Sequence, residues 1–188
     1  IGTGLVGSEM CIRDRGVKKT MSTRRGEYIS LNDLREDLGP DVIKFFFLEK
    51  KSDHPMDFDI DLAKDESKNN PYFYAQYAYV RCCSILAKSS FDPTVEIDLN
   101  EIENCYEITS KAINYPLILQ EYALERSPHS LVHFIKDFSA TFHSFYEQNP
   151  VLSENKVTSN SRLLITSITK LILKNSFKIL NVKPLEKM

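Results

Sequence analysis

Tyr74, Tyr77 and Arg81 fall at i, i+3 and i+7, so on a helix they would share one face. Two aromatic planes and a guanidinium in a row can stack unpaired bases and hold a phosphate. The same residues also suit a duller arrangement, tyrosines half-buried in a core with their hydroxyls in water. Spacing alone leaves both readings open. His129 and His133, at i and i+4, could pair on a metal, but no third ligand stands at fitting spacing, and no metal is expected. Asp57, Asp59 and Asp61 begin like a calcium loop. Its sixth position is Leu62 and its twelfth Lys68, where Gly and Glu are needed, so caps and core-edge contacts account for them better. Cys11, Cys82, Cys83 and Cys105 show no C-x-x-C spacing and no histidine partner, which reads as reduced thiols in a cytoplasmic protein. No Ser/His/Asp or Cys/His arrangement is legible from spacing.

The tyrosine row needs a helix under it, and Asn69 to Lys88 supplies one. Pro71 suits a first turn, Asn69 or Asn70 can cap it, and no proline or glycine follows before Lys88. Ala75, Ala78, Cys82 and Ile85 make a narrow face for close packing on neighbours. Downstream, Leu99, Ile102, Tyr106, Thr109 and Ile113 follow helical spacing, and Pro116 starts another short helix to about Arg126. Pro128 opens the next, where Leu131, Ile135, Phe138, Phe142 and Phe145 repeat with the helical period. Residues 148–161 read as a connecting loop. The last helix runs from about Ser161 to Leu180, with Leu164, Ile168, Leu171 and Ile172 inward and Lys170, Lys174 and Lys178 outward. Five helices after residue 68 with short connections predict a helical bundle. Upstream, Glu27–Leu31 reads as a short strand, Asn32 caps a helix through Leu38, and Pro40 opens a helix to about Lys50. The fold class is therefore mostly α, a strand-loop-helix junction followed by an all-α bundle.

At 188 residues, with 42% hydrophobic and 27% charged side chains, the composition is that of a globular domain with no apolar run of membrane-spanning length. The net charge of −2 excludes a generic polyanion binder, so any nucleic-acid contact must come from local patches. Lys18, Lys19, Arg24 and Arg25 cluster near the start, and Lys170, Lys174, Lys178, Lys183 and Lys187 near the end. Asp92, Glu96, Asp98, Glu101, Glu103 and Glu107 form an acidic stretch expected to face away from RNA.

The run Asn70-Pro71-x-x-Tyr74-x-Gln76-Tyr77-Ala78-x-x-Arg81, followed by Cys83-Ser84-Ile85-Leu86, resembles the helix that opens the anticodon-binding domain of arginyl-tRNA synthetases. The resemblance continues, in the family's order, through Met21–Gly26, Gly39-Pro40-Asp41 with Phe45–Leu48, Asp57–Lys64, Pro128-His129-x-Leu131 and Phe142-His143-x-Phe145-Tyr146. It covers roughly residues 17 to 188. Residues 1–15 fit nothing that follows; part of the stretch resembles translated sequencing-adapter read-through, so it is set apart as non-native. The reading frame is then expected to be truncated, with its true N-terminal part missing.

The resemblance implies the C-terminal portion of an arginine-tRNA ligase, which joins L-arginine to its tRNA through an arginyl-adenylate, using ATP and Mg²⁺. It implies three segments: 1–15 non-native, 16–67 the end of a class I catalytic domain with its junction, and 68–188 the all-α anticodon-binding domain. Thr20–Arg24 stands at the family's signature loop, with both motif lysines replaced by Thr20 and Thr23. Lys19, Met21, Ser22, Thr23 and Arg24 are the expected catalytic residues, with Lys19, Ser22 and Arg24 on the ATP phosphates. Tyr74, Gln76, Tyr77, Arg81 and Met188 are the expected tRNA contacts, and His143 has a structural or tRNA-facing role. The fragment alone is expected to be inactive and monomeric, without membrane contact. A free-standing helical tRNA-binding module and a helical protein-interaction domain are the alternatives.

Overall fold

All but one of the helices among the described residues start at a side-chain cap or a proline. The computed structural model describes residues 10–14, 17–20, 30–51, 54 and 56–188. Its N-terminal portion holds strands β1 (Met10–Asp14) and β2 (Val17–Thr20), helices α1 (Leu31–Leu38) and α2 (Pro40–Leu48), strand β3 (Met56–Asp59) and helix α3 (Ile60–Lys64). The bundle follows as α4 (Pro71–Lys88), α5 (Leu99–Asn104), α6 (Tyr106–Glu125), α7 (Pro128–Gln148) and α8 (Lys156–Ile179). The expected class, a short junction and then an all-α bundle, is the observed one.

The strands form one sheet in the order β2-β1-β3, antiparallel between β1 and β2 and parallel between β1 and β3. Met10–Asp14, which the sequence sets apart from the fold, is thus the central strand. Backbone pairing needs only an extended segment beside open edges, and the buried Ile12 supplies an apolar side chain opposite Phe58. Glu27–Ile29 of the expected strand lie outside the described residues, and Leu31 already belongs to α1. The helix is capped by Ser30 and not by Asn32. Ser30 and Asp33 bond reciprocally, Asp33 N–H to Ser30 Oγ at 3.1 Å and Ser30 N–H to Asp33 Oδ2 at 2.9 Å, a pairing Asn32 lacks. Gly39, at φ 81°, turns the chain directly into α2, where Phe45 meets Tyr72 of α4 edge-on, centroids 5.7 Å apart. Asp59 caps α3 by accepting from Leu62 N–H at 3.0 Å, as the cap reading of that acidic stretch anticipates.

Asn70 fixes the start of α4 to what precedes it. Its Oδ1 accepts from Tyr72 and Phe73 N–H while its Nδ2 donates to the Ala63 carbonyl at 3.1 Å. Helix α4 then packs on α7 and α8 with Ala75, Ala78, Cys82 and Ile85 buried, as spaced. The α7 row Leu131, Ile135, Phe138, Phe142 and Phe145 is buried throughout. Two other expectations need correction. Pro116 lies inside α6, because Tyr115 beside it is anchored twice, stacked on Phe134 at 5.4 Å and hydrogen-bonded through its hydroxyl to Ser176 Oγ at 3.1 Å. Those contacts offset the backbone hydrogen bond that a proline forfeits. Helix α8 begins at Lys156, inside the expected loop, and its inward face is rotated. Ile168 and Leu171 are 38% and 57% exposed, whereas Thr166, Thr169 and Ser176 are buried with their hydroxyls bonded to carbonyls four residues back. Backbone-satisfied hydroxyls pack like small apolar groups, so hydrophobicity alone misplaces the face.

Candidate nucleic-acid interface

Tyr74, Tyr77 and Arg81 leave α4 on the side facing α7, and α7 answers with His143 and Tyr146. The His143 ring lies 4.3 Å from Tyr74 and 5.5 Å from Tyr77, nearly parallel to the latter at 21°. The Arg81 guanidinium carbon then sits 4.6 Å from the Tyr77 centroid and 4.3 Å from that of Tyr146. The five groups make a continuous series of flat surfaces, Tyr74–His143–Tyr77–Arg81–Tyr146. Arg81 Nη2 also donates to the Tyr77 hydroxyl at 2.6 Å, which fixes the fork within the series. Among the described residues, no carboxylate lies within ion-pair distance of Arg81. Its charge is held by ring faces and by one phenol oxygen.

His143 is 4% exposed, and its Nε2 is 3.2 Å from the Tyr74 carbonyl oxygen. A carbonyl only accepts, so Nε2 carries the proton. Burial pushes the His143 pKa below its ordinary value, with the Tyr74 hydrogen bond opposing and the Arg81 charge adding to the fall. The ring is therefore neutral at pH 7, a flat spacer between two tyrosines. Tyr74 is half-buried and its phenol is pushed up by burial and by Glu147, against Arg81. Tyr77 is the open member, 39% exposed. Beside the series, Tyr74 also borders a cleft of about 440 Å³ that Lys50, Lys68 and Lys136 help to line, within the size range of small-ligand pockets.

The other residues singled out from the sequence lie elsewhere. Gln76 points away from the tyrosines, is 0% exposed, and grips the C-terminal segment. Its Nε2 donates to the Lys183 carbonyl at 2.9 Å and its Oε1 accepts from Leu185 N–H at 3.0 Å. Met188 lies three residues beyond that grip and is half-exposed. Lys19 is in β2, its backbone opposite Ile12, and Met21, Ser22, Thr23 and Arg24 lie outside the described residues. The acidic stretch is spent on structure. Arg162 binds Glu101 at 2.6 Å, Asn160 holds the backbone of Asp92, and Asp98 caps α5. His129 and His133 meet edge-on at 6.2 Å, and among the described residues no group of three His, Cys, Asp or Glu is disposed to hold a metal. What the sequence left undefined is the joining role of His143 and Tyr146. Their signal is an i, i+3 pair on α7 with Tyr146 at the edge of the buried row.

Comparison with known proteins gives a consistent neighbourhood. A family model described as the DALR anticodon binding domain matches residues 75–188. An arginine--tRNA ligase of Vesicomyosocius okutanii is 42% identical over 169 residues, covering 89% of this chain and 29% of the relative. The corresponding ligase of Nitrosospira multiformis is 37% identical over 177 residues, covering 92% of this chain and 30% of the relative. The crystal structure of Plasmodium falciparum arginyl-tRNA synthetase superposes with a TM-score of 0.67 at 29% identity, covering 88% of this chain and 30% of that one. The chain spans about 30% of the length of the curated relatives it matches.

Proposed function

We propose, since this chain belongs to the DALR anticodon-binding domain family, that the Tyr74–Tyr146 series receives the bases of an arginine tRNA anticodon loop. The observation that carries the reading is Arg81 held between Tyr77 and Tyr146 with no carboxylate partner among the described residues. An arginine fixed this way keeps N–H donors in reserve at no further ordering cost, ready for a phosphate or a base edge. Tyr77 offers an open ring beside it, and an anticodon loop is where bases are already unstacked. Neutral His143 beneath the tyrosines sets their spacing without adding a charge that would repel Arg81. Met188 is a further proposed contact, brought over α4 by the Gln76 grip.

On this reading the chain is the C-terminal part of an arginine-tRNA ligase, which couples arginine to its tRNA with ATP and Mg²⁺ through an arginyl-adenylate. Lys19, Ser22 and Arg24 would serve the ATP phosphates, and Met21 and Thr23 complete the signature loop. ATP and Mg²⁺ are proposed for the whole ligase, of whose curated relatives this chain spans about 30%. The full enzyme is proposed to be cytoplasmic and monomeric. Among the described residues no helix is long and apolar enough to cross a membrane. The test is binding of an arginine-type anticodon stem-loop by the chain. Micromolar or tighter, salt-dependent binding that exceeds binding of a stem-loop with an unrelated anticodon is expected, and equal binding of both would sink the proposal.

A further inference from the structure

The end of α8 is built so that like charges meet. Leu180 closes the helix and Asn181 follows at φ 54°, in the left-handed region. Asn181 N–H bonds the Lys178 carbonyl at 3.1 Å and Val182 N–H the Phe177 carbonyl at 2.9 Å, the paired bonds of a Schellman turn. Val182 and Phe177 are both buried, which supplies the apolar contact that accompanies such turns. The turn folds the chain back over its own last helical turn, so Lys183 comes to face Lys174 and Lys178. Together with Lys44 of α2 they line a groove of about 320 Å³.

Among the described residues Asp41 is the one acid that borders that groove, and it is already engaged. Asp41 Oδ1 takes the Lys44 ammonium at 2.8 Å and Oδ2 accepts the Lys183 backbone N–H at 3.0 Å. Among the described residues Lys174, Lys178 and Lys183 have no carboxylate within ion-pair distance. Three bonds hold the segment that carries Lys183 in place: the Asp41 bond, the Lys44 bond to the Asn181 carbonyl, and the Gln76 grip on the Lys183 carbonyl. A cation in the last turn of a helix complements the helix dipole, which accounts for Lys178 but not for Lys174 a turn further in. It does not account for a third lysine folded back onto them in a chain whose net charge is −2. Such a convergence costs stability, and a bound anion relieves it.

We propose that this groove takes backbone phosphates of the RNA whose bases meet Tyr77, an assignment that rests on the RNA reading above. The groove is joined to α4 through Gln76, whose side chain turns from the tyrosine face toward the C-terminal segment. That residue is the chain neighbour of Tyr77, its Cα about 3.8 Å away, and it binds the Lys183 carbonyl directly. On this assignment one strand lays its bases toward α4 and α7 and carries its phosphodiesters around α4 toward α8 and the C-terminal segment.

The test measures binding of the arginine-type anticodon stem-loop across a salt series for the chain as it stands, for Lys174→Gln/Lys178→Gln and for Lys156→Gln. Lys156 is at the other end of α8, about 27 Å away, and removes a charge without touching the groove. Loss of two phosphate contacts should flatten the slope of log affinity against log salt by about 1.4–1.8, with melting unchanged and the Lys156 variant like wild type. A double variant whose slope equals that of the unaltered chain would overturn the groove while leaving the stacking series standing. Failure of the unaltered chain to bind the stem-loop overturns both. Flattening by Lys156→Gln equal, per charge removed, to that of the groove variant would also overturn it, since the effect would then be the whole protein's field.

Discussion

Arg81 lies with its guanidinium carbon 4.3 Å from the ring centroid of Tyr146, so a residue of α4 is oriented by a residue of the neighbouring helix. The contact makes the placement of this cation a property of the α4–α7 packing and not of α4 alone. Tyr146→Ala should leave the fold intact and release Arg81, weakening stem-loop binding roughly three- to tenfold through lost preorganisation, about the value of one cation–π contact. Tyr146→Phe keeps the ring and should bind like wild type. Arg81→Ala should flatten the salt slope by about one phosphate contact. Equal losses for Tyr146→Phe and Tyr146→Ala would mean that the hydroxyl matters and the ring does not.

Tyr77 and Ile85 lie on the same helix and should separate cleanly. Tyr77→Ala removes the open stacking surface, and a tenfold to hundredfold loss of stem-loop affinity is expected, equivalent to about 1–3 kcal/mol. Its thermal melt should stay near wild type, because the ring is 39% exposed. Ile85→Ala empties a buried position facing the bundle and should cost about 2–5 kcal/mol of stability. Melting curves beside binding curves decide the matter. A Tyr77→Ala protein that melts as badly as Ile85→Ala would place the tyrosine in the core.

His143 gives the fold a pH dependence with a definite sign. Burial lowers its pKa in the folded chain relative to the unfolded one, so the unfolded chain binds the extra proton first. The stability it contributes is complete above the unfolded value near 6.5 and is lost as pH falls through the lower, folded value. His143→Phe keeps a flat ring without the titration. The difference in melting temperature between wild type and this variant should shift in the variant's favour as pH drops below about 6.5. His133, also lowered by burial, titrates in both proteins and cancels in the comparison. A constant difference from pH 7.5 to 5 would show that His143 does not titrate with folding.

The α7 row was legible in the sequence, Phe138 and its partners being buried together, whereas Leu99, Tyr106 and Ile113, read with the same helical spacing, are 76%, 72% and 76% exposed. The α4 start was equally legible, since Asn70 and Pro71 leave few other options. The face of α8 was not. Its buried positions are occupied by Thr166, Thr169 and Ser176, whose polarity is cancelled by their own helix backbone, a cancellation invisible to a hydrophobic pattern. Gln76 illustrates the same limit at the site. It shares the tyrosine motif in sequence but points toward the C-terminal segment, and only the positions of Lys183 and Leu185 disclose its partners. His143 and Tyr146 become part of the series because two helices meet, a relation across 69 residues for the His143–Tyr74 bond.

Two roles for Gln76 can be separated by experiment. The sequence motif suggests a residue that touches tRNA, whereas the geometry makes it the anchor of the C-terminal segment. Gln76→Ala leaves the Lys183 carbonyl and the Leu185 N–H without their partner, a penalty of about 1–3 kcal/mol if the segment stays in place. Release of the segment into water is the cheaper outcome, so amide exchange at Leu185 should accelerate strongly while the bundle core stays protected. If Gln76 acts only through the segment, deleting residues 184–188 should weaken stem-loop binding as much as Gln76→Ala does. Combining the two changes should then add nothing. A Gln76→Ala change that weakens binding further in the shortened chain would show direct contact with the RNA. Leu185 exchange as slow as in wild type would show that the grip does not hold the segment at all.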